Sequence, residues 1–138
     1  MYKEFNHKEM NKKTVLLVDD DIDYLIQMET RIRNFGFKVI KAEGKEDALM
    51  VLKDVKPDLA IMDLMMEAQD SGFVLGYKLK QLYPDVPVAI ATSATRETGI
   101  KFDIDRRSDR DWIKADVFLQ KGIRNDQLHR EINKLLKI

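Results

Sequence analysis

The sequence predicts an α/β fold organised around a parallel sheet, and three of its features carry that prediction. Short apolar runs alternate along the chain with amphipathic segments whose apolar residues recur every three or four positions. A run such as the one that opens "VLLVDDD" is continuously apolar and reads as a buried strand. Turn and stop residues such as Gly36, Pro57 and the stretch "YPDVP" separate the two kinds of segment.

In chain order, the first strand is Thr14 to Val18, and the run "VLLVDDD" ends abruptly on Asp19, Asp20 and Asp21. The helix after it carries Ile22, Leu25, Met28, Ile32 and Phe35 at helical spacing and ends at Gly36, a residue suited to the left-handed position past a helix C-terminus. "FKVIKA" is strand two. A second helix from Glu46 to Val55 sets Ala48, Leu49, Leu52 and Val55 on one face, with Pro57 beyond its end. "LAIMD" is strand three, and a third helix over about Gly72 to Tyr83 aligns Leu75, Leu79 and Leu82 before strand four, "VAIAT". "DVFLQ" is strand five, and Leu128, Ile132, Leu135 and Leu136 mark a last helix. The expectation is five strands and about five helices, without internal repeats.

The segment from Ser93 to Ala115 departs from this rhythm. Basic residues (Arg96, Lys101, Arg106, Arg107, Arg110) interleave there with acidic ones (Glu97, Asp103, Asp105, Asp109, Asp111), a mixed-charge stretch rather than a basic patch. Ile100, Phe102 and Ile104 alternate with polar residues, which suits a short extra strand with one buried face. A surface loop leading into a short helix around Trp112 fits the same residues.

Composition narrows the function. A chain of 138 residues suits one domain, able to bury roughly two thirds of the surface its unfolded form exposes. With 44% hydrophobic and 35% charged residues it reads as a soluble globular protein. Its 24 basic and 24 acidic side chains cancel, leaving no global field to draw it onto nucleic acid or anionic lipid, so direct nucleic-acid binding is disfavoured. There is no cysteine, which excludes disulfides, thiolate metal sites and a thiol nucleophile. The opening "MYKEFNHKEMNKK" lacks the apolar stretch of a secretory signal, and no run approaches the ~18 apolar residues of a membrane span. A cytoplasmic protein without membrane insertion is expected.

In a parallel α/β sheet, functional groups gather at the carboxyl ends of the strands. Strand one ends in Asp19, Asp20 and Asp21, strand three in Asp63, strand four in Thr92 and Ser93, strand five in Gln120 and Lys121. Taken singly, each has a plain explanation: Asp21 as a helix cap, Asp63 as a solvated strand end, Thr92 as a β-former, Lys121 as a surface lysine. Together they place carboxylates, a hydroxyl and an ammonium on one rim. That set suits phosphoryl transfer: hard oxygen donors for Mg²⁺, a carboxylate nucleophile toward phosphorus, and a lysine and hydroxyl for the charge on the transferred group. His7 and His129 are read as isolated surface residues, and no Gly-rich phosphate loop follows any strand.

The ordered set "VLLVDDD", "PDLAIMDLMM", "PVAIATSA" and "ADVFLQKG" resembles the receiver domain of two-component response regulators, in the stand-alone form of chemotaxis-type receivers. The resemblance runs from about Lys13 to Ile138. It implies a flavodoxin-like (βα)5 three-layer sandwich of strand order 2-1-3-4-5, a receiver domain over 13–138, and an N-terminal extension over 1–12 that is either a mobile tail or a short docking helix. It further implies that Asp63 is the phosphoacceptor, that Asp20 binds Mg²⁺ directly and Asp19 through water, and that Met65 adds its backbone carbonyl. Thr92 matches the switch hydroxyl, Lys121 the lysine that pairs with the phosphoryl group, and Phe118 the aromatic that changes rotamer as Thr92 moves. The implied donor is a phosphohistidine on a sensor histidine kinase or histidine phosphotransfer protein, and the implied output is contact with a downstream protein or onward relay. Such a chain catalyses only its own phosphorylation and dephosphorylation.

Three departures from the family pattern stand out. Gly122 follows Lys121 where proline is usual, the loop "LMMEAQDSG" lacks a proline and is about a residue longer, and the segment from Ser93 to Ala115 is expanded. Met65 and Ala94 occupy positions that often govern water access to the phosphoryl group, and neither can orient a water by hydrogen bonding, which implies a long-lived phosphoform. Two other readings fit parts of the sequence. One is a phosphorylation-independent pseudo-receiver; the other is a haloacid-dehalogenase-like phosphohydrolase, for which Asp19 and Asp21 form the D-x-D pattern.

Overall fold

The computed structural model describes residues 12–64, 66, 71–93 and 115–138. Nine elements follow in chain order among the described residues: β1 (Thr14–Val18), α1 (Ile22–Asn34), β2 (Lys38–Ala42), α2 (Lys45–Asp54), β3 (Leu59–Asp63), α3 (Ser71–Leu82), β4 (Val88–Thr92), β5 (Val117–Gln120) and α4 (Asn125–Leu136). The five strands form one parallel sheet in the order β2-β1-β3-β4-β5. The chain therefore leaves β1 toward one edge, crosses back, and builds the other half outward from β3. That reversal opens a crevice at the carboxyl ends of β1 and β3.

Alternation along each strand feeds two cores. Val15 and Leu17 of β1, Leu59 and Ile61 of β3 and Ala89 and Ala91 of β4 pack beneath α1 and α4, against Leu25, Met28, Ile32, Leu128 and Ile132. Leu16 and Val18, Ala60 and Met62, and Val88 and Ile90 point the other way, beneath α2 and α3 with Ala48, Leu52, Leu75 and Leu79. The sheet is thus covered on both faces, which is why its central strands β1, β3 and β4 are apolar through their interiors rather than at every second residue, whereas the edge strand β2 carries Lys38 and Lys41. Edge ties complete the frame. Asp58 Oδ2 accepts the Thr14 N–H at 2.8 Å, the Tyr83 hydroxyl donates to the Leu52 carbonyl at 2.7 Å, and Asp116 Oδ2 accepts from the Val88 N–H and from Lys80.

The strands lie within a residue of where the sequence places them, and α2 begins one residue early. Asp21 caps α1 by accepting the Tyr24 N–H at 3.2 Å. Gly36 ends it at φ +104°, a conformation that costs a side-chain-bearing residue energy. Ile22 and Leu82 differ from expectation, being 53% and 54% exposed. Both occupy a terminal turn, where helical spacing continues but no neighbour covers it. His129 is a further correction. It is not an isolated surface residue: its half-buried ring stacks on Phe35 at 4.2 Å and meets the edge of Phe37 at 6.3 Å, so it closes the seam between α4 and the α1–β2 turn. His7 lies outside the described residues, as do 94–114, on which the expectation of an extra strand or a short helix around Trp112 falls.

Candidate functional site

Parallel registration brings four strand ends side by side. Asp19 follows β1 and donates its N–H to the Ala42 carbonyl at 3.1 Å. Asp63, the last residue of β3, lies opposite Ala91. Thr92 ends β4, and its carbonyl accepts the Lys121 N–H at 3.0 Å just past β5. Asp19, Asp20, Asp21, Asp63, Thr92 and Lys121 line one open cavity of about 220 Å³. Of the strand-end residues that the sequence singles out, these and Ser93 line one cavity, whereas Gln120 lines a different one.

Asp19 and Asp63 are the buried charged residues among the described ones, at 1% and 6% exposure. Burying a carboxylate is costly without a partner, and Lys121 supplies one. Its Nζ stands 2.7 Å from Asp19 Oδ2 and 3.1 Å from Asp63 Oδ1. Asp19 Oδ1 accepts the Asp21 N–H at 2.9 Å. Asp19 Oδ2, in contrast, is buried and met only by the Lys121 charge, without a well-directed hydrogen bond.

One ammonium against this many carboxylates leaves an excess of negative charge. Desolvation, then repulsion from Asp19, pushes the Asp63 carboxyl up to about 6, even though Lys121 pulls it down. For Lys121, burial lowers the pKa, but the close contact with Asp19 and the charges of Asp63 and Asp19 outweigh it and hold the ammonium above its usual range. Carboxylate oxygens of Asp19, Asp20 and Asp63 all lie within 4.8 Å of one another. Hard oxygen donors at that spacing, one of them buried and under-coordinated, fit a divalent cation such as Mg²⁺.

Two residues that sequence reasoning passed over also shape the site. The Tyr24 ring, on the inner side of the first turn of α1, lies 4.6 Å from Lys121 Nζ, and burial above all raises its phenol to about 12. Its signal in the sequence is faint: an aromatic with a polar tip, three residues after a helix cap. Gly72 is the other. A Cβ there would stand 2.4 Å from the Asp63 carbonyl oxygen and 2.8 Å from Leu64 Cα, so the start of α3 can close onto the end of β3 only without a side chain. Its N–H donates to the Leu64 carbonyl at 2.9 Å, fixing the backbone beyond Asp63. Phe118 is half-buried in β5, its ring 6.1 Å from Phe73. Met65 and Ala94 lie outside the described residues.

Comparisons with known proteins agree with this geometry. A family model described as response regulator receiver domain matches residues 15–133. A curated protein named "Probable transcriptional regulator ycf27", from Cyanophora paradoxa, is 30% identical over 133 residues, covering 94% of this chain and 50% of that protein. The phosphate regulon transcriptional regulatory protein PhoB of Pseudomonas aeruginosa is 32% identical over 87 residues, covering 62% of this chain and 38% of its own length. The chain thus spans half or less of the length of these relatives. Among solved structures, a CheY-like receiver domain protein from Methanospirillum hungatei JF-1 superposes with a TM-score of 0.76 at 19% identity, over 92% of this chain and 95% of that one. The response regulator TrrA of Thermotoga maritima, in complex with Mg²⁺ and BeF, gives 0.73 at 24% identity, over 89% and 98%. These likenesses carry the fold, and the family match spans nearly the whole chain: the protein belongs to the response regulator receiver domain family, whose members are phosphorylated and bind Mg²⁺ at an acidic pocket.

Proposed function

We propose that this chain is a receiver that takes a phosphoryl group onto Asp63 from a phosphohistidine of a sensor histidine kinase or a histidine phosphotransfer protein. The observation that carries the reading is the buried Asp19–Lys121–Asp63 cluster, in which one ammonium bridges two carboxylates beside a third at Asp20. Asp19, Asp20, Asp63 and the Met65 carbonyl would hold Mg²⁺, which supplies positive charge to the phosphoryl oxygens. A carboxylate oxygen of Asp63 forms the new bond to phosphorus as the bond from phosphorus to the donor imidazole nitrogen breaks, and that nitrogen keeps the electron pair. Lys121 sits between Asp19 and Asp63 and offers its charge to the incoming oxygens, with Thr92 on the same rim.

The phosphoryl group adds nearly two negative charges to a site that already holds an excess, so Lys121 and Thr92 are drawn toward it and Phe118 follows. The two states then differ in the surface they present, and a downstream protein responds only as far as it binds them differently. We further propose a receiver domain over 13–138 with an accessory extension over 1–12, a cytoplasmic location, output through protein contact or relay rather than direct nucleic-acid binding, and a long-lived phosphoform arising from Met65 and Ala94.

Intact mass after incubation with acetyl phosphate and Mg²⁺ tests the reading. The expected result is a gain of one phosphoryl mass that disappears in Asp63→Asn and in EDTA. No gain, under conditions that label another receiver, would overturn it in favour of the pseudo-receiver. Steady turnover of a generic phosphomonoester would instead support the phosphohydrolase.

A further inference from the structure

Lys121 sits on a loop with little of its own to hold it. Gly122 follows, and nothing lies within 4 Å of where a Cβ would stand. Arg124, the residue before α4, makes no side-chain hydrogen bond to cap that helix. The backbone is tied on the strand side by the Lys121 N–H to the Thr92 carbonyl at 3.0 Å and the Ile123 N–H to the Gln120 carbonyl at 3.1 Å. On the helix side the tie comes from elsewhere in the sequence. Arg31, in the last turn of α1, sends Nη2 to the Ile123 carbonyl and Nε to Asn125 Oδ1, while Nη1 rests 3.5 Å from Met28 Sδ.

We infer that Arg31 is a positioning residue for Lys121, its guanidinium clasping the loop two and four residues beyond the lysine so that the ammonium stays between Asp19 and Asp63. A planar guanidinium forming two bonds in a fixed fork fixes both the position and the direction of the backbone it holds, which a single ammonium on a flexible stem does not. The contacts it protects are short, 2.7 and 3.1 Å, so a loop shift of an ångström would break them. Tyr24 and Arg31 lie seven residues apart on one helix, with Met28 between them on the same face. Helix α1 therefore supports Lys121 twice, at the ammonium through the Tyr24 ring and at the loop through Arg31. The inference rests on the receiver reading for what Lys121 does, and on contacts alone for where it is held.

The test reads Lys121 directly. Brief acylation of the folded full-length chain with an N-hydroxysuccinimide ester, followed by peptide mass analysis, gives the reactivity of each lysine. Arg31→Gln is expected to raise the Lys121 rate about fivefold, the factor that loss of one ordinary net hydrogen bond allows, with Lys80 and Lys134 unchanged as internal references. Arg31→Lys should fall between wild type and Arg31→Gln. Asn125→Ala, an exposed substitution that leaves the core intact, should give a smaller rise at Lys121 alone. Unchanged Lys121 reactivity in Asn125→Ala and in folded Arg31→Gln would overturn the proposal, and so would an equal rise at all three lysines. Labelling by acetyl phosphate supplies a second arm. Arg31→Gln should slow it in the wild-type background and add nothing in Lys121→Ala, and equal slowing in both backgrounds would show that Arg31 acts otherwise. If wild type takes no label, the receiver reading fails while the acylation arm still decides this one.

Discussion

Val18 and Asp19 are consecutive and almost equally buried, at 2% and 1% exposure, yet they do opposite things. Val18 ends a strand whose side chains fill two cores; Asp19 begins a rim where carboxylates crowd around one ammonium. The core gains free energy from every group it removes from water, and the rim holds charge that water would solvate better. The sheet holds the rim in place, and its stability offsets the unfavourable charge gathered there. Truncation in the core should therefore only destabilise, whereas removing a charge from the rim can act in either direction.

The largest stability effect belongs to the core. Leu16→Ala removes a fully buried side chain and should cost about 2–5 kcal/mol, read as a lower urea midpoint with little pH dependence. Lys121→Ala comes next. It leaves two buried carboxylates facing each other, so metal-free protein at neutral pH should lose about 3 kcal/mol, and added Mg²⁺ should restore more stability to the variant than to wild type. A variant as stable as wild type without metal would mean that the rim carries no such strain.

Asp63→Asn sharpens the contrast because it should stabilise. In the fold the Asp63 carboxyl titrates near 6, above its ordinary 3.8, so between these values the folded state holds more protons than the unfolded one. Stability then falls as pH rises through that window and stays lowered above it. The asparagine variant lacks this titration, so metal-free Asp63→Asn should match wild type near pH 4 and exceed it by about 1–3 kcal/mol above pH 6. Melting curves at both pH values measure it, and a variant less stable than wild type at pH 7 would reverse the assignment. The smallest effect is Tyr24→Leu, which removes the ring beside the Lys121 ammonium and should cost about 0.5–2 kcal/mol.

Much of this arrangement was legible along the chain. Strand positions came from apolar runs, and the polar residues that end them marked Asp19, Asp63, Thr92 and Lys121 as neighbours, because parallel strands place their carboxyl ends on one edge. Helix faces were read less well. Spacing assigned Ile22 and Leu82 to buried stripes, but burial needs a neighbour as well as a period. His129 failed in the opposite sense: nothing beside it in sequence predicts a stack against Phe35 and Phe37 across the α1–β2 turn.

By itself, then, the sequence determined the alternation of elements, the places of the apolar runs that become strands, and the chemical types that collect at the rim of the sheet. These follow from local periodicity and from the fixed geometry of parallel strands. Only the tertiary structure decided how those groups meet. It put one lysine between two buried aspartates, closed α3 onto Asp63 at the single-atom tolerance of Gly72, and swung Arg31 across 92 positions of sequence to the loop behind Lys121. Contacts of that kind depend on long side chains and close backbone approaches between segments remote in the chain, and no local pattern encodes where such atoms will meet.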